Sequence, residues 1–461
     1  MLLPCLWVLV LISCKSGGSG SADAEPINEE FPIIVNEVPN DILVPASELR
    51  VIPDEEVVQF RSDSPYANVL KECAFADEDS LCTNAVLPYI GQDHPNPTIN
   101  NILNRVLVSH QWMGVRFAQL LNQMPKETLA LFRSVTVITI GSEVRPSSFS
   151  SFRGSIRLDP SYLWLTLSEK QTISTVPDFR SGFGADLQFL HRWSYMINNE
   201  RAYSFFSLTD DSERTLNDIV LRTSGLLFHE LAHANDYVNP AFFDDISLAE
   251  TPRDLREKFA DRRVSQLLYD DMSLSVQTSW LFALASVRYR DDAPDDDLLA
   301  FTAESVGGVM GNEGKTNFYS YSTIREDMAN LFESAMMKKH YDVELYSAFV
   351  EKPIGYPDDY SVNDLIVGWG ERNRLASPLV APRAKYVIDK VFGDVADNDN
   401  FFNDNLGVAS LLPTGVAWHS IIKPTSVQIA ARSVSNDEHA KQLELEFLRD
   451  SIRSSDAHLE H

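Results

Sequence analysis

The run His229-Glu230-Leu231-Ala232-His233 constrains this chain more than any other feature of its 461 residues. Apolar residues flank it, Leu226, Leu227 and Phe228 before and Ala234 after. The spacing predicts one helix from about Thr215 to Val238, closed by Asn239-Pro240. Positions four apart on a helix return to nearly one face, so His229 and His233 project together and can hold one metal ion. Glu230 lies one step round, where its carboxylate reaches a water on that ion rather than the ion itself. Two imidazoles, an open position for water and an adjacent base suit zinc. Two histidines on a buried helix face are also compatible with plain core packing, so the pair needs a third protein ligand.

The segment Tyr319-Ser-Tyr321-Ser-Thr-Ile-Arg-Glu326-Asp-Met-Ala329-Asn-Leu-Phe332-Glu333 supplies a candidate. From Thr323 it predicts a second helix with Glu326, Asn330 and Glu333 on one face. A carboxylate from a separate helix completes a His-His-Glu set.

H-E-x-x-H, a distant Glu opening an E-x-x-A-x-x-F helix and a Tyr seven positions before that Glu together resemble the catalytic domain of anthrax lethal factor and related peptidases. The resemblance implies one zinc ion per chain on His229, His233 and Glu326, with Glu230 as general base. It also implies that Tyr319, or Tyr321 if the loop is turned differently, donates to the tetrahedral oxyanion. The fold it implies is α+β: a mainly helical zincin-like metallopeptidase domain with a small mixed sheet whose edge strand lies above the metal helix. The alternating run Gly154-Ser-Ile-Arg-Leu158 is the candidate for that edge strand, which would pair with substrate backbone. Two departures stand out. The separation 326 − 233 = 93 is longer than in lethal factor and requires an insertion, and Asn330 stands where that family has a second glutamate.

Glu257-Lys-Phe-Ala-Asp261 offers an alternative third ligand. It matches the E-x-x-x-D helix of thermolysin-like enzymes, at a separation of 257 − 233 = 24. Acidic residues are abundant in this chain, and Arg253, Arg256, Lys258, Arg262 and Arg263 crowd the same stretch, which suits a solvated face. Glu326 is therefore preferred over Glu257.

At the N-terminus, the apolar stretch ending in Leu11-Ile12-Ser13-Cys14 resembles a bacterial lipobox and is too short to span a bilayer. The resemblance implies that residues 1–13 are a signal peptide and that Cys14 becomes the lipidated N-terminus. With Lys15 following, it implies an outer-membrane lipoprotein of the cell envelope. Residues 14–59, rich in Gly, Ser, Pro and acid, are expected to be a flexible tether. A two-lobed catalytic domain is expected over 60–430 and a C-terminal helical tail over 431–461. With Cys5 and Cys14 so assigned, Cys73 and Cys82 remain, and in an exported protein they are expected to pair.

Thirty-nine basic against 66 acidic residues give a net charge of −27, which disfavours nucleic acid as a partner. The expected partners are a peptide or protein substrate and, through Cys14, a membrane. Asp291 to Asp297 and Asp394 to Asn405 are Asp-rich without the ligand spacing of a calcium loop, so they read as solvated turns. Elsewhere, one helix is expected over Asn96–Gln123, a second piece over Lys126–Arg133 and a strand over Thr136–Ile140. The functional expectation is a zinc metallopeptidase of the envelope. The alternatives are a lipoprotein that keeps such a fold for binding or assembly, and a zinc hydrolase acting on another amide.

Overall fold

The computed structural model describes residues 44–272, 278–393, 396–422 and 454–455. The signal segment, Cys14 with its expected lipid, and most of the proposed tether and tail lie outside the described residues. Among the described residues, no helix is long and apolar enough to cross a membrane.

The architecture is α+β. Strands β1 (Val58–Gln59), β2 (Val106–Val108), β3 (Ile138–Ile140), β4 (Ser148–Ser150) and β5 (Ser155–Leu158) belong to a first sheet. Strands β6 (Phe189–Ile197), β7 (Glu200–Arg201), β8 (Glu344–Glu351), β9 (Val367–Arg372) and β10 (Ser410–Leu411) form a second, and β11 (Ser454–Ser455) returns to the first. The first sheet has the order β1-β2-β3-β5-β4-β11 and is mixed, with β2, β3 and β5 parallel. The second has the order β10-β9-β8-β6-β7 and is antiparallel. The principal helices are α1 (Gln111–Gln123), α2 (Leu216–Tyr237), α3 (Pro252–Lys258), α4 (Ser279–Arg290), α5 (Ile324–Tyr341) and α6 (Ala381–Phe392).

Helix α2 is buried at every residue from Arg222 to Tyr237, its polar side chains Arg222, His229, Glu230, His233, Asn235 and Asp236 included. Its Leu226, Leu227 and Leu231 share one core with Ile138 and Ile156 of the first sheet, Trp193 and Tyr195 of β6, and Met328 and Phe332 of α5. A smaller core joins Leu284 and Ala285 of α4 to Phe318, Tyr319, Tyr321 and Phe349. The turn that carries Tyr319 thus belongs to the smaller core.

Several local expectations change once tertiary pairing is visible. The stretch Asn96–Gln123 is not one helix: a short helix, Ile99–Leu103, gives way to β2 before α1 begins. Val106, Leu107 and Val108 are all fully buried, and pairing with β1 and β3 outweighs the helical period around them. Residues 44–59 are not a free tether. Val57 is fully buried, Val58 pairs with Val108, and the Glu48 carbonyl accepts from His110 Nε2 at 3.0 Å. Strand β5 is not an edge, because β3 and β4 occupy its two sides. A short alternating run tells which face of a strand is buried, and says nothing of its lateral neighbours. Of the proposed helical tail, only Ser454 and Ser455 are described, and they form a strand parallel to β4.

Cys73 and Cys82 form a disulfide, closing a loop beside the small core of Val57, Leu70 and Leu107. Of the two Asp-rich stretches expected as solvated turns, the second is helical over Ala396–Asp404, and the first serves local structure. Asp291 ends α4 in the left-handed conformation, and Asp295 caps the next helical turn by accepting from the Leu298 amide at 2.8 Å.

Candidate metal centre

Two helix starts set the centre. Thr215 caps α2, and its amide donates to the Asp218 carboxylate at 2.7 Å in a capping box. Thr323 caps α5, where its hydroxyl accepts from the amide of Glu326 at 3.1 Å. The cap fixes the first turn of α5 at the residue that faces α2.

Across the α2–α5 contact, His229 Nε2 lies 3.0 Å from Glu326 Oε2, His233 Nε2 lies 3.5 Å from the same oxygen, and the two Nε2 atoms are 3.3 Å apart. All three side chains are fully buried. Ligands about 2.0–2.1 Å from a tetrahedral zinc ion stand roughly 3.3 Å from one another. The observed triangle has that size, so the three residues fit a single small cation. Among the described residues this is the one group of three or more His, Cys, Asp or Glu side chains with ligand atoms so close. Glu230 is fully buried on the next position of α2 and is not part of that group, as a base beside a metal should be.

The remaining nitrogen of His229 is also engaged. Nδ1 donates to Glu333 Oε2 at 3.2 Å, and Glu333 Oε1 accepts from the hydroxyl of Tyr195 at 3.0 Å. A carboxylate on Nδ1 holds the proton there and leaves the Nε2 lone pair for a metal. Gly225, one turn before His229, makes room for this arrangement: a Cβ there would stand 3.2 Å from Glu333 Oε1. That accounts for a glycine inside a buried helix, where it costs about 1 kcal/mol relative to alanine.

Electrostatics favour a positive centre. Burial opposes charge on His229, but hydrogen bonds and the field of Glu326 and Glu333 outweigh it and raise its pKa to about 9. Burial likewise opposes ionisation of Glu326, yet His233 and His229 hold its pKa well below the usual carboxylate range. A doubly charged cation held between these groups would take the place of protons that the pocket otherwise retains.

Tyr319 opens the short turn Tyr319–Tyr321 before α5, and its ring stacks on His229 with centroids 6.3 Å apart. Its pKa stands well above that of a free phenol, chiefly from burial and then from Glu326, so the hydroxyl remains a donor. Tyr321 turns away and donates to Glu313 at 2.7 Å. Asn330, which stands in the place of a glutamate in the lethal factor pattern, has a bracing role. Its amide donates to the Glu326 carbonyl at 2.6 Å and its oxygen accepts from Asn317 at 2.8 Å. Asn317 in turn accepts from the Ser320 amide at 3.1 Å, tying the Tyr319 turn to α5.

Glu257 lies exposed on α3, outside the cluster. Its basic neighbours form surface ion pairs, Arg253 with Glu78, Lys258 with Glu250 and Arg262 with Asp245. The sequence places Glu333 on the Glu326 face of α5 without assigning it a role, and nothing local marks Tyr195, which sequence reasoning missed.

Comparison with models of known protein families, with curated proteins and with solved structures finds no match to this chain.

Proposed function

We propose that the chain is a zinc-dependent metallopeptidase with a zincin-like catalytic domain, carried in the bacterial envelope as a lipoprotein anchored through Cys14. The observation that carries the catalytic reading is the buried triangle of His229, His233 and Glu326, with Glu230 beside it on the same helix. The lipid anchor rests on the sequence around Cys14 alone.

Zinc bound to the three ligands would acidify a water molecule and polarise a peptide carbonyl. Glu230 takes the proton from that water and returns it to the leaving amine. The Tyr319 hydroxyl donates to the oxygen of the carbonyl as it gains charge, an interaction typically worth about 3 kcal/mol. Glu333, steadied by Tyr195, holds the His229 ring in the orientation its role requires.

Digestion of a peptide library by the full chain, read by mass spectrometry, tests the reading. Cleavage should stop when zinc is removed by a chelator and resume on adding it back. Stoichiometric zinc with no peptide cut would favour a binding or assembly role instead.

The oxyanion donor gives a sharper result. Tyr319→Phe should lower kcat by roughly a hundredfold while zinc content stays near that of the parent. Tyr321→Phe should leave kcat largely intact and cost about 1–3 kcal/mol of stability through the orphaned Glu313. If Tyr321→Phe shows the loss of kcat and Tyr319→Phe does not, the roles are exchanged.

A further inference from the structure

Strand β4 runs antiparallel to β5, with Phe149 opposite Ile156, and among the described residues only β11 lies on its other side. It packs on the metal helix α2. Phe149 is buried, and its ring centre lies 5.7 Å from that of Tyr237. Tyr237 stands one helical turn beyond His233 on α2. The guanidinium carbon of Arg325, the residue before Glu326, lies 5.7 Å from the same Tyr237 ring centre. Strand β4 is thus seated on a residue that touches both ligand-bearing helices within a turn of their ligands. The hydroxyl of Ser147 accepts from the Asp159 amide at 2.8 Å and fixes where the strand begins.

Strand β11 is an unusual neighbour for β4. It pairs in parallel over two residues, Ser454 opposite Ser148 and Ser455 opposite Phe149, at a separation of 454 − 148 = 306 positions. Within the sheet, Val106, Val108, Ile138, Ile140, Ile156 and Leu158 are fully buried. Two serines bring no such apolar side chain, so the attachment of β11 rests on its backbone. A parallel pair is slightly weaker per residue than an antiparallel one, and two residues are short for a strand. β11 therefore holds to the sheet as a bound peptide does, by main-chain hydrogen bonds along an open edge. Its covalent link to the domain raises its effective concentration there, which lets a weak pairing compete.

We propose that the segment carrying Ser454 and Ser455 is an autoinhibitory occupant of the β4 edge, displaced when an extended substrate peptide adds to the sheet beside the metal helix. The inference rests on the peptidase reading for its kinetic arm, and its binding arm stands without it. An occupant that must leave before substrate binds raises the apparent KM by the inverse of the open fraction and leaves kcat unchanged.

Successive N–H groups of a strand point to opposite sides, so both serines are replaced. In the full chain, Ser454→Pro with Ser455→Pro removes whichever N–H donates to β4. On a library peptide that the parent cleaves, this variant should show a KM lower by about fivefold or more at unchanged kcat. Ser454→Ala with Ser455→Ala keeps both N–H groups and should keep the KM of the parent, which assigns the effect to backbone pairing. An unchanged KM in the proline variant, a change confined to kcat, or an equal fall in the alanine variant overturns the inference and leaves the peptidase reading intact. In the binding arm, a fluorescent peptide of residues 450–459 is titrated onto zinc-loaded full chain carrying Glu230→Gln, with and without the two prolines. Binding tighter by about fivefold or more with the prolines supports the occupied edge even if no peptide is cut. Equal binding in the two, or binding to neither, overturns the inference whatever the cleavage assay reports.

Discussion

Glu230→Gln is expected to keep about one zinc per chain and to lower peptide hydrolysis by about 10²–10⁴-fold. The two side chains have nearly the same shape, so the substitution tests proton transfer rather than packing. Glu230 is fully buried on α2 between the two histidines in sequence, yet its oxygens are not among the three clustered ligand atoms. A glutamine can occupy that place and hydrogen-bond to a water, but it cannot accept the water's proton. Metal content by elemental analysis and kcat on a cleaved library peptide give the two readouts. Loss of zinc would mean that Glu230 is a ligand, and retained hydrolysis would mean that another group is the base.

What could be read from the sequence follows how local each signal is. The spacing over Thr215–Val238 and the residues from Thr323 are short-range signals, and the structure has α2 over Leu216–Tyr237 and α5 over Ile324–Tyr341 with Thr215 and Thr323 as caps. The candidate triad was legible for the same reason, since each member sits on its own helical signature. Pairing across the chain was not. The Tyr195 hydroxyl reaches Glu333 across 138 positions, and no pattern around Tyr195 announces it. Strand β2 lies hidden in a helical period, and Val57 joins the core from a segment whose composition suggests a linker. In each case a distant partner decides the outcome, and a single sequence does not display distant partners.

Glu326→Ala should purify largely without zinc, whereas Glu257→Ala should keep it. Glu326 offers one of the three clustered candidate ligand atoms and sits at the shared corner of the triangle, 3.0 Å from one histidine nitrogen and 3.5 Å from the other. Its loss should weaken metal binding by about several orders of magnitude. It also leaves two imidazoles facing each other in a buried pocket with Glu333 as the nearby anion, so some loss of stability should accompany it. Glu257 lies on the solvated face of α3, and removing an exposed carboxylate there should change stability by less than about 0.5 kcal/mol.

The most direct measurement is the zinc K-edge absorption spectrum of the intact protein, recorded beside that of Glu326→Ala. The account predicts a four-coordinate shell of nitrogen and oxygen at about 2.0 Å, the outer-shell scattering of two imidazoles and no sulfur. In Glu326→Ala that signal should be lost. A sulfur shell, a single imidazole, or an unchanged spectrum in Glu326→Ala would contradict a zinc centre built on His229, His233 and Glu326.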